Sequence, residues 1–268
     1  MDSAIHSSYI NPAPTERFDL PEQNPLEANT LAVLTQRILL SMQQLGFSDF
    51  HYYGLFDVVP GDECQATDHF NLELFRRTPQ CLSSEGVDVV QRFFRETDGD
   101  SRMWQSICYE RQPFQRSLAD SGNPQERRVL DFMMAREIRS QLFVPVYGYT
   151  GNGWHCQFLL NSPLPPKALA LWIEDHKQAL LMTCFYFHTL LMRDFHYLFN
   201  PWLHHQVISA RALDVLTLTA NGLGSKEIAG KINLSEKGVN YHLNHMCELL
   251  GAENRVHLVA MAKELRII

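Results

Sequence analysis

The segment Ile208 to Ile268 divides itself into four short helices by its own end signals, and this constrains the chain more than any other feature. Ser209 stands where it can cap a helix with apolar positions Leu213, Val215, Leu216 and Leu218, and Gly222 follows where a helix end needs positive φ. Ser225 is placed to cap a second helix through Ile228 and Ile232. Ser235 is placed to cap a third that runs to Leu250 before Gly251, and Asn254 starts a fourth. Three short helices with tight turns, covered by one more, follow the helix-turn-helix plan with an added packing helix.

At 100° per residue, Val239, Leu243, Met246 and Leu250 fall within about 60° of each other on the third helix and predict its buried stripe. Lys237, Asn240, Tyr241 and Asn244 occupy the other side. Asparagine can donate and accept together at the N6/N7 edge of adenine, and a tyrosine ring can meet a thymine methyl or a phosphate. The expectation is a recognition helix in the major groove of double-stranded promoter DNA.

The string Asn221-Gly222-Leu223-Gly224-Ser225-Lys226-Glu227-Ile228-Ala229, the pair Leu234-Ser235 with Val239 and His242, and Leu250-Gly251 followed by Asn254-Arg255 resemble the LuxR-type (GerE-like) domain in order and spacing. The resemblance implies base contacts at Asn240, Tyr241 and Asn244. It puts Lys226, Lys237 and His242 near phosphate-contacting or packing positions, and adds Arg255 to the candidate DNA-binding set. Three departures stand out. Ala212 replaces the glutamate that completes a capping box, Gly238 replaces a threonine at a cost of up to about 1 kcal/mol, and asparagine stands where the family often has a basic residue on the reading face. Binding that leans more on paired half-sites is expected.

Charge agrees in sign with this reading. The protein carries −7 overall. From Gln206 onward seven Lys/Arg face six Asp/Glu, which leaves +1 for the tail and −8 for the rest. Non-specific affinity for nucleic acid should therefore be modest.

Ahead of the tail the periodicity changes. A proline-containing arm, 1–29, precedes a helical repeat over Thr30 to Leu45. Phe50 to Val59 reads as a strand ending at Pro60-Gly61, and helices are expected near Val87 to Glu96 and Gln125 to Arg139. Gln141 to Tyr149 and Gly153 to Leu160 are two apolar runs joined by Thr150-Gly151-Asn152, a hairpin signal. Lys167 to Phe199 has no Pro or Gly and is apolar on more than one face. One face should close a core and another should meet a second copy in a homodimer. Asn200-Pro201-Trp202 breaks that helix. The expected organisation is α+β: an αβα sandwich sensor and dimerisation domain over 30–199, a linker over 200–207, and an all-α four-helix DNA-binding domain over 208–268.

That layout looks like the autoinducer-binding domain of quorum-sensing regulators, with the best local match at Val144-Pro145-Val146, Gly148, Gly151 and Gly153. The resemblance implies a ligand site at Phe93, Phe94, Asp98, Asp100 and Arg116. Acyl-homoserine lactone binders use a Trp and a Tyr on one helix, an Asp beyond it and a second Trp. Here the helix offers Phe93 and Phe94 without a hydroxyl, Asp98 or Asp100 stands at the Asp place, and Gln115 or Arg116 takes the second Trp place. A lactone head would lose buried partners at about 1 to 3 kcal/mol per group. The expectation is an orphan receptor that binds another small molecule or needs none.

Other chemistries find little support. The cysteines at 64, 81, 108, 156, 184 and 247 have no zinc-type spacing and read as reduced thiols, although any one could sense oxidants. Trp154-His155-Cys156 places a Cys beside a His, but neighbours on a strand face opposite ways, so no enzyme is expected. His196, His204 and His205 lack a companion carboxylate or thiol, so no metal and no cofactor are expected. Neither a secretory signal nor a membrane span is visible, which points to the cytoplasm. Transcription regulation linked to quorum sensing or virulence is the leading expectation. The alternative is an interaction protein that sequesters another LuxR-type regulator in a mixed dimer.

Overall fold

The computed structural model describes residues 25–56, 81–97, 107, 110–117, 124–146, 153–204 and 207–268. The chain divides into two compact units, Gln23–Phe199 and Asn200–Ile268.

The first unit is an αβα sandwich. Helix α1 (Pro25–Gln44) leads into strand β1 (Asp49–Phe56), followed by the short β2 (Leu82–Ser83), α2 (Val87–Thr97), β3 (Phe114–Ser117), α3 (Pro124–Met134), β4 (Ser140–Val146), β5 (Trp154–Ser162) and α4 (Pro166–Phe199). The strands form one sheet in the order β2-β1-β5-β4-β3, each pair antiparallel. Helix α1 starts at Pro25, earlier than expected, with proline at a first helical position where its missing N–H costs nothing. Helix α3 stops at Met134 and not at Arg139, and Glu137 takes a left-handed φ of 60° in the turn before β4. The turn expected at Thr150-Gly151-Asn152, and residues 57–59 of the expected strand, lie outside the described residues.

Side chains alternate across the sheet, so its two faces differ in chemistry. One face carries Phe50, Tyr52, Leu142, Val144, Phe158 and Leu160, all buried. Helices α1 and α4 cover it: the Tyr52 and Phe199 rings meet edge-on at 4.8 Å, and Phe47, just after α1, packs on Trp172 at 5.5 Å. The Tyr52 hydroxyl pairs with His188 Nδ1 at 2.8 Å, which satisfies both groups inside this core. Helix α4 buries Leu180, Cys184, Phe187, His188, Leu191 and Met192 as a single stripe, and its regular backbone is interrupted at Phe195 (φ −136°, ψ 19°).

The opposite face carries a run of buried polar groups: Asp49 and His51 on β1, Gln141 on β4, and His155, Gln157 and Asn161 on β5. The apolar sides of two amphipathic helices, α2 and α3, cover this face. Phe93 and Phe94 of α2 pack against Tyr53, Leu55 and Phe143, and Val129, Met133 and Ile138 form a second cluster with Phe93 and Phe132.

In the second unit, α5 (Pro201–His204) precedes α6 (Ala210–Ala220), α7 (Ser225–Lys231), α8 (Glu236–Leu250) and α9 (Arg255–Glu264). The stretch expected as a linker therefore opens with a helical turn. Asn200, fully buried, donates from Nδ2 to the carbonyls of Leu265 (2.9 Å) and Arg266 (3.1 Å), and its Oδ1 accepts from the Trp202 N–H. One amide thus stitches the entry of this unit to the chain end.

The caps explain the helix limits. Ser209, Ser235 and Asn254 accept from the N–H groups of Ala212, Gly238 and His257, as their residue types predict. Gly222 (φ 86°) and Gly251 (φ 69°) take the left-handed conformations that end α6 and α8. The start of α7 differs from expectation. Gly224 is its cap residue and Ser225 its first helical residue. The Glu227 carboxylate accepts from the Gly224 N–H at 2.8 Å, while the Ser225 hydroxyl turns to a neighbouring helix.

Candidate nucleic-acid interface and sensor cavity

The stripe predicted for the third helix of the tail is the buried side of α8: Val239, Leu243, Met246 and Leu250 are at most 8% exposed. With that side anchored, Lys237, Tyr241 and Asn244 stand exposed. Tyr241 lies parallel to His245 with ring centroids 6.2 Å apart. His245 was not singled out from the sequence, although it follows Tyr241 by one helical turn.

Asn240 is half-buried, and its carbonyl end is occupied. Its Oδ1 accepts from the Ser225 hydroxyl at 2.8 Å and from the Arg255 guanidinium at 3.0 Å, while Arg255 also donates to Ser225 Oγ at 3.1 Å. These three residues join the first turns of α7 and α9 to the outer side of α8. Arg255, a candidate DNA contact from its position in the sequence, is here a clamp across three helices. Lys226 is exposed on α7. His242 is half-buried, and partial burial, with the charges of His245 and Arg211, holds its pKa below the usual histidine value. Neutral imidazole is thus favoured there.

The geometry fits a known family. Residues 206–262 match the model described as bacterial regulatory proteins, luxR family. The carboxy-terminal domain is a LuxR-family helix-turn-helix domain. The LuxR-family domain is similar to part of the oxygen regulatory protein NreC of Staphylococcus aureus, in strains JH9 and JH1 alike, with 36% identity over 63 residues. That alignment covers 24% of this chain and 29% of the relative, so the chain spans less than a third of the length of the curated relatives it matches. Among solved structures, Escherichia coli SdiA shares 16% identity at a TM-score of 0.39, with 89% of this chain and 92% of that chain covered. SdiA in complex with octanoyl-rac-glycerol gives 16% and 0.38, with 88% of each chain covered.

In the first unit, the polar face of the sheet borders a cavity of about 70 Å³. Phe93 and Phe94, candidates from the sequence, both line it. Arg116 sits opposite Gln141 on the edge strand β3 and is not among the lining residues, and Gln115 donates instead to the Pro166 carbonyl. Asp98 and Asp100 lie outside the described residues. Sequence reasoning missed His51, Gln141 and Asn161, which also line the cavity. Their signal was the polar step of a two-residue alternation in β1 and β5, hidden among strongly apolar neighbours, and Gln141 of β4 shares that side only through strand pairing.

Asp49, His51 and Glu85 each bring one potential metal-ligating atom within 4.8 Å of the others. The Arg136 guanidinium pairs with the Glu85 carboxylate in the same place, so a cation there would meet a positive charge already in position. His155 and Cys156 occupy adjacent strand positions and so face opposite sides of the sheet. Burial pushes the Cys81 thiol up to about 12 and the Cys184 thiol higher still, which makes both poor nucleophiles. No helix of the described residues is long and apolar enough to cross a membrane.

Proposed function

We propose that the chain is a sequence-specific, DNA-binding transcription regulator that acts as a homodimer in the cytoplasm, with α8 in the major groove. The domain limits proposed are 30–199 for sensing and dimerisation and 208–268 for DNA binding, and quorum sensing or virulence control is the setting to which the resemblance of the sensor domain leads. One observation carries the reading: α8 is anchored by four buried apolar residues so that Lys237, Tyr241 and Asn244 project outward from a LuxR-family domain. Lys237 suits a phosphate and Asn244 an adenine edge.

The homodimer is supported by apolar exposure along one side of α4. Leu171, Met182, Phe185 and Tyr186 are 49 to 66% exposed, and Val33 and Leu40 of α1 are similarly open. Single exposed apolar residues are ordinary, but a helix-long series is the signature of a partner surface.

The test is selection of bound sequences from random DNA, followed by affinity measurements on the selected site. Asn244→Ala should relax the preference at one or two base pairs, with about 1 to 3 kcal/mol of lost discrimination. Lys237→Ala should weaken all sequences alike and flatten the salt dependence. Unchanged preference and affinity in both variants would refute the assignment.

The occupied carbonyl of Asn240 favours one second reading, a protein that sequesters another regulator in a mixed dimer, because it removes an acceptor from the reading face. Footprinting separates the two: a sequestering protein protects no promoter by itself.

A further inference from the structure

The polar end of the first unit's cavity is wired in one direction. Asp49 is the fixed point, because an ionised carboxylate only accepts. It takes the Ser48 hydroxyl at 2.9 Å and Asn161 Nδ2 at 2.5 Å. The Asn161 amide is therefore oriented with its carbonyl away from Asp49, and that carbonyl accepts from Gln141 Nε2 at 2.9 Å. The orientation passes along the network, so the Gln141 amide cannot be reversed without facing one carbonyl with another. The network ends at Gln141 Oε1, a buried acceptor without a hydrogen-bond partner.

A second group also ends unpaired. The Asn161 amide nitrogen meets His51 Nε2 at 3.5 Å as well, and since that nitrogen donates, Nε2 accepts and the ring hydrogen sits on Nδ1, a buried donor without a partner. Both residues line the cavity, whose remaining wall is largely aromatic through Phe93, Phe94, Phe132 and Phe143. Gln141 is 1% exposed and His51 9%. Buried polar atoms are satisfied in the great majority of folded proteins, so an unpaired acceptor and an unpaired donor on residues that line one apolar space describe a missing group that can both donate and accept. Asp49 and Glu85 against Arg136 leave an excess of negative charge around a neutral imidazole, which repels an anionic head group.

We propose that this cavity binds a small neutral molecule with an apolar ring or short chain and a hydroxyl head, of the phenol or alcohol class, whose O–H donates to Gln141 Oε1 and whose oxygen accepts from His51 Nδ1. Carboxylates and acceptor-only heads are excluded. The inference deepens the sensor reading of 30–199 and does not depend on DNA binding.

The experiment uses the full chain and three probes that share a ring and differ in the head: phenol, anisole and benzoate. Affinities are read by titration calorimetry or ligand-observed NMR. Phenol should bind at least tenfold more tightly than either of the others. Gln141→Met, close in volume, should bring phenol to within about threefold of anisole, and Val90→Trp, which fills the cavity wall, should abolish binding of all three. Should Gln141→Met not fold, the selectivity of the unaltered protein still decides. Anisole or benzoate binding as well as phenol would overturn the hydroxyl-headed class while leaving the sensor reading intact. Binding by none of the probes would overturn both.

Discussion

The Arg255 guanidinium donates to Asn240 Oδ1 at 3.0 Å, so the first residue of α9 holds the amide expected to read DNA from α8. Ser225 completes the contact. Arg255→Ala frees that amide and removes a clamp between exposed groups, so stability should fall by no more than about 1 kcal/mol. Asn240→Ala should lower the melting temperature as well as DNA affinity, whereas Asn244→Ala should lower affinity alone. Differential scanning fluorimetry beside electrophoretic mobility shifts checks the pair. Equal melting temperatures for the two asparagine variants would contradict the clamp.

The turn between α7 and α8 depends on Asn233, which adopts a left-handed φ of 54°. Asparagine tolerates that region and β-branched residues do not. Asn233→Gly should be tolerated within a few tenths of a kcal/mol, and Asn233→Val should destabilise by roughly 1 to 2 kcal/mol. Urea denaturation of both variants measures this. A Val variant as stable as the Gly variant would show that the turn carries no such constraint.

Stability should fall as the medium becomes acidic, through His51. Burial lowers its pKa; Asp49 opposes this and Arg136 adds to it, while Glu85 also faces the ring across the cavity. The unfolded chain then binds a proton more readily than the folded one, so the contribution is intact above the unfolded histidine value of about 6.5 and is lost as pH falls below it toward the folded value. His51→Gln should flatten the decline in denaturation midpoint between about pH 7.5 and 5.5. An unaltered slope would assign the effect to another group.

The exposed apolar side of α4 should hold the dimer together. Met182→Asp combined with Phe185→Asp, at positions 66% and 49% exposed, should convert the protein to a monomer with unchanged circular dichroism. Paired half-sites should then be bound at least tenfold more weakly, and a single half-site as before. Light scattering after size exclusion reports the mass, and a variant that keeps the mass of the parent protein would disprove this interface.

The second unit was legible in the order of residues because its determinants are local. Ser209, Ser235, Asn254, Gly222 and Gly251 act within one turn of themselves, and the stripe from Val239 to Leu250 needs only the helical period. The roles of Asn240 and Ser225 were not legible, because Arg255 meets them across 15 and 30 residues of chain. The long helix and the hairpin strands of the first unit could likewise be read from periodicity. Its cavity could not. Asp49, His51, Gln141 and Asn161 come from three strands, and antiparallel register places His51 opposite Leu159, Asp49 opposite Asn161 and Gln141 opposite Asn161 on one face. Alternation along each strand tells which residues share a side, but pairing alone brings those sides together and leaves Gln141 Oε1 and His51 Nδ1 unpaired.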